Sequence, residues 1–306
     1  MKVVRTIAEL REALRPGHPA RACESQDHLG QNPDTASRIG MVPTMGALHE
    51  GHLSLLQRAR AENDLVILSI FVNPTQFSEA SDLDAYPRQE AQDAALAESA
   101  GVDVIFAPSA AEMYPAGFAT TVSVSGAITE TLEGAGRGSS HFDGVATVVA
   151  KLLLAALPHR AYFGQKDAQQ LRVVQRMVAD LGIPTEIVSC ATSRDADGLA
   201  RSSRNVRLSE TDRQRALVIP RALAAVSAAA ASGETEVVAL RTLAEGILAE
   251  GSVDPEYLAF VNPESFAPAT TVSGTVLCAI AARVGEVRLI DNELLNPPSL
   301  PISKEN

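Results

Sequence analysis

The chain has 306 residues and a mass of 32.2 kDa, which is enough to bury a sizeable core and to form two domains. Its formal net charge of −11 argues against a protein that holds nucleic acid by bulk electrostatics, so an anionic substrate must meet locally placed cations. Three widely spaced cysteines, and no apolar segment long enough to span a bilayer, predict a reduced, cytoplasmic protein without a membrane partner.

The first part of the chain alternates between strand and helix patterns, which is typical of βαβ units around a parallel sheet. Continuous apolar runs such as Leu65–Phe71 predict strands that are covered by helices on both faces. We therefore expect an α/β fold with a Rossmann-like first domain. The predicted elements are, in order, strand Val3–Thr6, helix Ile7–Leu14, strand Ile39–Val42, helix His52–Glu62, strand Leu65–Val72, helix Gln89–Ala100 and strand Val102–Ala107.

Two irregular segments interrupt this alternation. Residues 16–37 are polar and contain three prolines, which predicts a mobile insertion. A glycine-rich loop is predicted over residues 134–144, after a strand at Thr120–Val124. The first domain, residues 1–190, is completed by a helix ending at Leu157, strand Arg160–Phe163, helix Ala168–Leu181 and strand Thr185–Cys190.

The remaining residues, 191–306, predict a smaller α+β domain. Alanine-rich helical patterns cover Glu210–Ser232 and Glu234–Glu250, and Pro220 is expected to kink the first of these helices. Prolines and glycines separate the apolar runs that follow. These runs predict strands at Leu258–Val261, Thr275–Ala282 and Glu286–Ile290.

The stretch Gly40–Leu56 joins a short apolar strand to an amphipathic helix through a tight, glycine-bearing turn. A helix start offers backbone N–H groups and a partial positive charge, so the stretch predicts a phosphate site. His49 and His52 lie three residues apart, which aims both imidazoles at the same volume. A metal pair and a simple helix cap are the alternatives. The metal pair is disfavoured because the zinc-binding pattern His-Glu-x-x-His needs another spacing, and no metal site is predicted.

The segment Pro43–His52 closely resembles the signature of the pantothenate synthetase family, in the nucleotidyltransferase superfamily. In that family the His-x-Gly-His motif, here His49 to His52, handles the α-phosphate of ATP. The resemblance implies ATP as a substrate, Mg²⁺ bridging its phosphates, a homodimer and a second domain that acts as a lid. It covers nearly the whole chain, through further family-like blocks at Phe71–Phe77, Asp82–Arg88, Phe163–Gln170, Asp197–Asn205 and Ala281–Asn292.

Two of these blocks supply candidate ATP ligands. Lys166 lies in a strand-to-helix turn, where its ammonium can reach a phosphate, although a solvent-facing lysine is the simpler explanation of this residue alone. The segment Arg201–Asn205 offers two hydroxyl and two guanidinium groups, which suits phosphates but also describes a solvated loop. The resemblance implies that the catalytic residues are His49, His52, Lys166, Ser202, Ser203 and Arg204.

The resemblance also implies further contacts with ATP, and this chain departs from the family's pattern at several of its blocks. Gln165 replaces the usual glutamate, and Arg201 replaces an apolar residue, so Arg201 is assigned a backbone contact only. Arg137 lies four residues before His141 instead of the usual three, which leaves its role open. Ser193 falls where a backbone group meets the adenine. The implied ATP contacts are Met45, Gly46, Ala47, Leu48, Glu50, Gly51, Gly164, Gln165, Asp167, Ser193 and Arg201.

Asn73 and Gln76 follow the second core strand, where their amides can bind hydroxyl and carboxylate groups without adding charge. Turn formation before Pro74 would explain Asn73 but not Gln76. The resemblance implies that Gln76 and Gln170 bind pantoate, with Asn73 and Tyr86 in the same pocket. It also implies that Gln76 contacts β-alanine.

Together these motifs imply an ATP-dependent ligase that condenses pantoate with β-alanine through a pantoyl adenylate, releasing pyrophosphate and AMP. One alternative is a related nucleotidylyltransferase acting on a phosphorylated acceptor, but no cation accompanies Gln76 in its block to bind such a phosphate. Another is a non-catalytic nucleotide-binding module. Such a module is not expected to keep His49, His52, Lys166 and Arg204 together.

Overall fold

The computed structural model describes residues 1–15, 37–77, 83–84 and 86–297, with Arg137 and Ser139 described by their backbone only. The predicted insertion at residues 16–37 lies outside the described residues except for Ser37. The chain divides into two compact units, one formed by Met1–Gln165 with Gln169–Ala191 and the other by Lys166–Ala168 with Thr192–Asn306. No helix in the described part of the chain is long and apolar enough to cross a membrane.

A parallel sheet forms the centre of the first unit and confirms the predicted α/β class. Its strands are β1 Lys2–Val4, β2 Ile39–Thr44, β3 Leu65–Ile70, β4 Val104–Phe106, β5 Arg160–Gly164 and β6 Glu186–Cys190. They pair in the order β1-β4-β3-β2-β5-β6, and every pair is parallel. The apolar run of β3 is buried from Leu65 to Ser69, as expected for a strand covered on both faces.

The order of the strands changes direction between β2 and β5. The chain runs from β2 to β3 and β4 on one side, and through β5 to β6 on the other. Ligands of open α/β sheets bind at such a switch point, beyond the carboxyl ends of the strands. The segments that follow these two strands begin at Met45 and Gln165. The topology therefore places the predicted nucleotide-binding turn where this class of fold binds ligands.

A capping box in the sequence explains where the first helix begins. The first helix starts with a capping box, in which Thr6 Oγ1 accepts the Glu9 N–H at 3.1 Å and the Glu9 carboxylate accepts the Thr6 N–H at 3.2 Å. Short 3-10 turns lie at Pro74–Gln76 and Gln165–Asp167. The helices that connect the strands are α1 Ile7–Ala13, α2 Glu50–Glu62, α3 Glu90–Ser99, α4 Ala110–Met113, α5 Ala127–Glu130, α6 Glu133–Arg137, α7 Ser139–Ala156 and α8 Ala168–Leu181.

The predicted strand at Thr120–Val124 is wrong. These residues are irregular, and the Val122 N–H donates to the hydroxyl oxygen of Thr147 on α7 at 2.9 Å. The side chain thus replaces the backbone partner that a strand would need. A short apolar alternation does not identify a strand by itself, because a backbone N–H group can be satisfied in several ways.

The predicted glycine-rich loop at residues 134–144 is also wrong, because α6 and α7 take up almost all of it. Gly144 lies within α7 and allows close packing; it does not make a loop flexible. A Cβ atom at Gly144 would lie 2.5 Å from the Thr75 carbonyl oxygen and 2.9 Å from the Gln76 backbone nitrogen. Glycine is required there because the backbone of the 3-10 turn passes directly against the helix.

The second unit is a separate α+β arrangement with a small antiparallel sheet. Its strands β7 Pro255–Val261, β8 Val276–Val284 and β9 Val287–Leu295 pair in the order β7-β8-β9. The central strand β8 is buried from Val276 to Ala282. The helices of this unit are α9 Glu210–Ala216, α10 Val218–Ala231 and α11 Val237–Glu250, and they pack with the sheet around a shared apolar core.

The first helix predicted in the second unit is in fact two helices. Leu217 separates α9 from α10, and Pro220 lies in the first turn of α10. The N–H groups of a first turn have no partner within the helix, so a proline sacrifices no hydrogen bond there. The predicted kink at Pro220 is therefore wrong, because a new helix begins two residues before this proline.

We expect Gly144→Ala to lower the free energy of unfolding by about 1–3 kcal/mol, the usual cost of forcing extra atoms into a packed interior. Backbone atoms of Thr75 and Gln76 occupy the space of the added methyl group, so the 3-10 turn has to move. Urea denaturation measures the change. The matched control is Gly136→Ala in α6, where no described atom outside the helix lies within 4 Å of the new Cβ, and it should be neutral or stabilising. Equal losses from both substitutions would contradict this packing explanation.

Candidate active site

The turn after β2 contains two successive residues in the left-handed region. Gly46 has a φ of +81° and Ala47 a φ of +50°. Thr44 fixes the start of the turn, because its Oγ1 accepts the Gly46 N–H at 3.2 Å and donates to the Ser69 carbonyl at 2.7 Å. A Cβ atom at Gly46 would lie 2.9 Å from a carboxylate oxygen of Asp93. Both the φ angle and the lack of space therefore require glycine.

Asp93, on α3, holds the same turn and was not indicated by the sequence pattern. The residue is 1% exposed, and its two carboxylate oxygens accept the N–H groups of Ala47 at 2.9 Å and Leu48 at 2.7 Å. These hydrogen bonds compensate the charge of a buried carboxylate. Asp93 and Ala97 are the buried positions of α3. An acidic residue on the inner face of this helix was the sequence signal that could have indicated a role for Asp93.

His49 and His52 form a reciprocal cap at the start of α2. The Nδ1 atom of His49 accepts the Gly51 N–H at 3.1 Å, and that of His52 accepts the His49 N–H at 3.3 Å. The two ring centroids are 4.1 Å apart. A ring nitrogen that accepts a hydrogen bond carries no proton, so each neutral imidazole has its N–H at Nε2. The pair therefore caps the helix and also provides two Nε2 donors that suit an anion.

Several backbone N–H groups at this helix start are used within the protein. Those of Ala47 and Leu48 bind the buried carboxylate, that of Gly51 binds His49, and the His52 N–H donates to the His49 carbonyl at 2.8 Å. The sequence predicts free N–H groups at this position, and the structure corrects that expectation. These amides are therefore already engaged, which makes the two imidazole side chains the candidate groups for binding an anion.

Gln76 lies beside this turn, at the carboxyl end of β3. Its Nε2 donates to the sulfur of Met45 at 3.1 Å, and its Oε1 accepts from the Asn73 amide at 3.1 Å. The Nδ1 atom of His141 lies 2.8 Å from the Gln76 carbonyl oxygen. The structure thus brings together Met45 and Gln76, which the sequence assigned to two different ligands.

Asn73 is 1% exposed, and protein groups engage its amide. Its Oδ1 accepts from the hydroxyl groups of Tyr114 at 2.7 Å and Thr75 at 2.9 Å, and its Nδ2 donates to the Gly144 carbonyl at 3.1 Å. Burial raises the pKa of the Tyr114 hydroxyl, which keeps this donor protonated. Asn73 therefore ties the 3-10 turn to α7, which favours the turn explanation of this residue. Its contact with pantoate stays a prediction.

The backbone at the carboxyl end of β5 leaves room for a ligand. No described atom lies within 4 Å of the position that a Cβ of Gly164 would take. The next residue, Gln165, accepts a hydrogen bond from the hydroxyl of Ser189 on β6 at 3.0 Å. Gln165 is thus tied to the neighbouring strand while the face of Gly164 stays open.

Two adjacent glutamines on α8 have different environments. Gln169, which the sequence pattern did not indicate, is buried and donates to the carbonyls of Ile128 at 2.9 Å and Thr131 at 2.8 Å. It also accepts the Glu133 N–H at 3.0 Å. Gln169 therefore fixes α5 and the start of α6. Gln170, the predicted pantoate ligand, is only half-buried.

Lys166 belongs to the second unit with its neighbour Asp167. Its side chain is only 18% exposed, and its Nζ lies 3.4 Å from a carboxylate oxygen of Asp167. The Lys166 carbonyl accepts a hydrogen bond at 2.9 Å from the amide of Asn292, a buried residue on β9. Because most lysines are exposed, this environment argues against a purely solvent-facing role.

Ser193 and Arg201 face each other across a hairpin of the second unit. The Arg201 N–H donates to the Ser193 carbonyl at 2.9 Å, and Arg194 and Ala200 form a β-bridge between them. The Arg201 guanidinium donates to the Arg194 carbonyl at 3.0 Å and pairs with Asp195 at 3.2 Å. These contacts are consistent with a ligand contact through the Arg201 backbone alone.

An ion pair between a partly exposed arginine and a buried carboxylate supports this hairpin. Arg194 binds the carboxylate of Asp291, on β9, through hydrogen bonds of 2.6 and 3.1 Å. Burial raises the pKa of Asp291, although the guanidinium beside it acts in the opposite direction. Asp291 precedes Asn292, so adjacent residues of one strand hold the hairpin and the backbone of Lys166.

Ser202, Ser203 and Arg204 follow the hairpin. The hydroxyl oxygen of Ser202 accepts the Arg204 N–H at 3.3 Å, and the Asn205 amide donates to the Ala200 carbonyl at 3.0 Å. The two serines are half-buried and Arg204 is exposed. The segment is therefore compact, with its guanidinium group at the surface of the unit.

Two further candidate residues lie in the first unit. Tyr86 packs edge-on against Phe77, with ring centroids 5.7 Å apart. The backbone of Arg137 ends α6, and its side chain lies outside the described residues. Within the described ranges, no group of three or more His, Cys, Asp or Glu side chains is arranged to hold a metal ion.

Comparisons of sequence place this chain beside known enzymes. The profile of the family described as Pantoate-beta-alanine ligase matches residues 2–294. The chain is 48% identical over 296 residues to a pantothenate synthetase of Roseiflexus castenholzii, covering 96% of this chain and 99% of that relative. It is 51% identical over 290 residues to a pantothenate synthetase of Cereibacter sphaeroides, covering 95% and 98%.

Solved structures that resemble this chain carry the same family names. The crystal structure of pantothenate synthetase from Thermus thermophilus matches with a TM-score of 0.86 and 47% identity, covering 97% of this chain and 100% of that one. A pantoate-beta-alanine ligase from Francisella tularensis, complexed with beta-gamma ATP and beta-alanine, matches with a TM-score of 0.74 and 35% identity, covering 96% and 97%. Since the profile and both kinds of relative extend over nearly all of its length, this chain belongs to the pantoate–β-alanine ligase family, also called pantothenate synthetases.

Proposed function

We propose that this protein condenses pantoate with β-alanine to form pantothenate, with ATP converted to AMP and pyrophosphate. A pantoate carboxylate oxygen attacks the α-phosphate, and the bond to pyrophosphate breaks. The β-alanine amine then attacks the carbonyl of the pantoyl adenylate, and AMP leaves. The observation that carries this proposal is the pair His49 and His52, whose Nε2 donors lie at the start of α2 in a chain of this family.

The proposed catalysis rests on positioned donors and needs no covalent enzyme intermediate. His49 and His52 would stabilise charge at the α-phosphate. Lys166 and Arg204, with the hydroxyl groups of Ser202 and Ser203, would bind the phosphates that leave. The remaining ATP contacts are proposed at the turn after β2, at Gly164 to Asp167 and along the hairpin from Ser193 to Arg201.

The proposed pantoate site is rich in amides. Gln76 would bind pantoate together with Gln170, and Tyr86 would border the pocket. Amide groups can bind the hydroxyl and carboxylate groups of pantoate while adding no charge. Asn73 would act mainly by holding the 3-10 turn that carries Gln76, because its own amide binds Tyr114, Thr75 and Gly144. Gln76 would also contact β-alanine.

Several properties are proposed from the family resemblance. Mg²⁺ would bridge phosphate oxygens of ATP, since it prefers substrate oxygens and water to a complete protein cage. The protein would form a homodimer in the cytoplasm. The second domain, proposed as residues 191–306, would act as a lid that keeps water from the hydrolysable adenylate.

The alternative of a nucleotidylyltransferase acting on a phosphorylated acceptor has less support. Such an acceptor needs cations beside the residue that binds it. The side chain of Gln76 contacts Met45 and Asn73, which are both uncharged. Neither contact supplies a cation to bind the phosphate of such an acceptor.

We expect the purified protein with ATP, Mg²⁺ and pantoate to release pyrophosphate, and to form pantothenate and AMP only after β-alanine is added. The reason is that the carboxylate must be activated before the amine can attack it. Isotope exchange between pyrophosphate and ATP measures the first step, and chromatography of pantothenate measures the second. Exchange that does not depend on pantoate, or no exchange at all, would contradict the proposed adenylation.

We expect Lys166→Ala to slow adenylation by roughly 10²- to 10³-fold, the usual effect of losing one preorganised donor. The second step should suffer less, because pyrophosphate has already left when β-alanine attacks. Rapid-quench measurements of pyrophosphate formation, and of pantothenate formation from preformed pantoyl adenylate, separate the two steps.

The matched control is Lys151→Ala on α7, whose ammonium lies 4.6 Å from the centroid of the Phe118 ring. It removes a lysine to which we assign no ligand, so both steps should proceed normally. Equal losses in both steps for Lys166→Ala would indicate a general defect of the pocket. Normal rates in both steps would indicate that Lys166 has no role in catalysis.

A further inference from the structure

The turn before α2 adopts a conformation that its own sequence does not favour. Ala47 has a φ of +50° although it carries a Cβ atom, and it follows Gly46 at +81°. A non-glycine residue persists in this region only when the surrounding structure holds it there. The immediate surroundings of Ala47 and Leu48 are therefore part of what defines the site.

Asp93 is the group that holds these two residues. One carboxylate oxygen accepts the Ala47 N–H at 2.9 Å and the other accepts the Leu48 N–H at 2.7 Å. The residue is almost completely buried, and it lies in the first turn of α3, where the helix dipole also stabilises a negative charge. A carboxylate has two acceptor oxygens, whereas an amide would place an NH₂ group against one of the two N–H donors.

The two hydrogen bonds from Ala47 and Leu48 to Asp93, which we call the clamp, affect the histidines through the backbone. Leu48 directly precedes His49, which is the N-cap of α2. The His49 N–H in turn binds the Nδ1 atom of His52, and the Gly51 N–H binds the Nδ1 atom of His49. A displacement of Leu48 would therefore change the direction in which both Nε2 atoms point.

We propose that Asp93 is a positioning residue for adenylation, which sets the two histidines at the α-phosphate by clamping the backbone of Ala47 and Leu48. This inference rests on the proposed function. Asp93 contacts neither ATP nor pantoate in this mechanism, and its effect passes through the turn. A misplacement of about 1 Å at a reacting centre can reduce a rate by roughly 10²-fold, so a small relaxation of the turn is sufficient.

The test is Asp93→Asn, which keeps the size of the side chain and replaces one acceptor oxygen with a donor. We expect kcat for pantoate-dependent pyrophosphate exchange to fall roughly 10²-fold, with a smaller rise in KM for ATP, because the histidines act on charge that develops in the transition state. A purely structural role would leave kcat unchanged at temperatures where the variant is folded. Wild-type kcat in folded Asp93→Asn would overturn the proposal.

Asp103→Asn is the matched control. The Asp103 carboxylate also accepts a backbone N–H, that of Val66 at 2.7 Å, and it binds Arg60 at 2.7 Å. It lies before β4 and binds the start of β3, at the opposite end of these strands from the turn. We expect Asp103→Asn to lose stability and to keep the wild-type kcat. If Asp103→Asn lost as much kcat as Asp93→Asn, the effect of Asp93→Asn would be explained by general destabilisation, and the proposal would be overturned.

Amide hydrogen exchange provides a readout that does not depend on activity. Peptides containing Ala47 and Leu48 should exchange faster in Asp93→Asn and normally in Asp103→Asn, since only the former loses one of the two oxygens that accept these N–H groups. Unchanged exchange in Asp93→Asn would overturn the proposed clamp. Wild-type protein without pantoate-dependent exchange of pyrophosphate would instead contradict the proposed function, while the hydrogen-exchange result would still decide on the clamp.

Gly46→Ala perturbs the same contact by changing the turn instead of the carboxylate. Its Cβ atom would lie 2.9 Å from the Asp93 carboxylate and 3.1 Å from Ile70, while the buried charge itself is kept. We expect the same pattern of lowered kcat and faster exchange at Ala47 and Leu48. Should Asp93→Asn fail to fold, wild-type kcat in Gly46→Ala would overturn the proposal.

Discussion

The candidate site of the first unit depends on a buried carboxylate that binds two consecutive backbone N–H groups. Asp93 holds Ala47 and Leu48, and the left-handed turn that results sets the residue at which α2 begins. Desolvating a carboxylate is costly, so its hydrogen bonds must be well formed and the turn has little freedom. The same contact uses amides that would otherwise attract an anion. In the proposed function, phosphate is therefore recognised by the side chains of His49 and His52.

Side-chain amides play a comparable part elsewhere in the protein. Asn73 ties the 3-10 turn to α7, Gln169 fixes α5 and the start of α6, and Asn292 binds the backbone of Lys166. An amide both donates and accepts hydrogen bonds, so one buried residue can satisfy several backbone groups of an irregular segment. Because amides are uncharged, this support does not add to the net charge of −11 in a protein whose proposed substrates are anions.

Repeating local patterns made the sheets and the main helices predictable. Buried runs such as β3 and amphipathic segments such as α2 carry their signal within a few residues, and their observed ends differ little from the predicted ones. Two of the failures share one physical cause. At Thr120–Val124 the backbone finds a side-chain partner on α7, and at Gly144 a helix accepts glycine because another backbone passes against it. Neither partner is close in sequence.

The sequence by itself determined the α/β class, the family and the identity of the chemical groups, because periodicity and motif are properties of neighbouring residues. His49, His52 and Gln76 were predicted as site residues in this way. Only the tertiary structure decided how these groups are held. The low exposure of Lys166 and the hydrogen bonds of Asp93 depend on atoms that folding brings together from distant positions: Asp93 is 45 residues from Leu48, and Asn292 is 126 residues from Lys166. A buried acid on a helix cannot be assigned a partner from sequence, since its hydrogen bonds are chosen by packing.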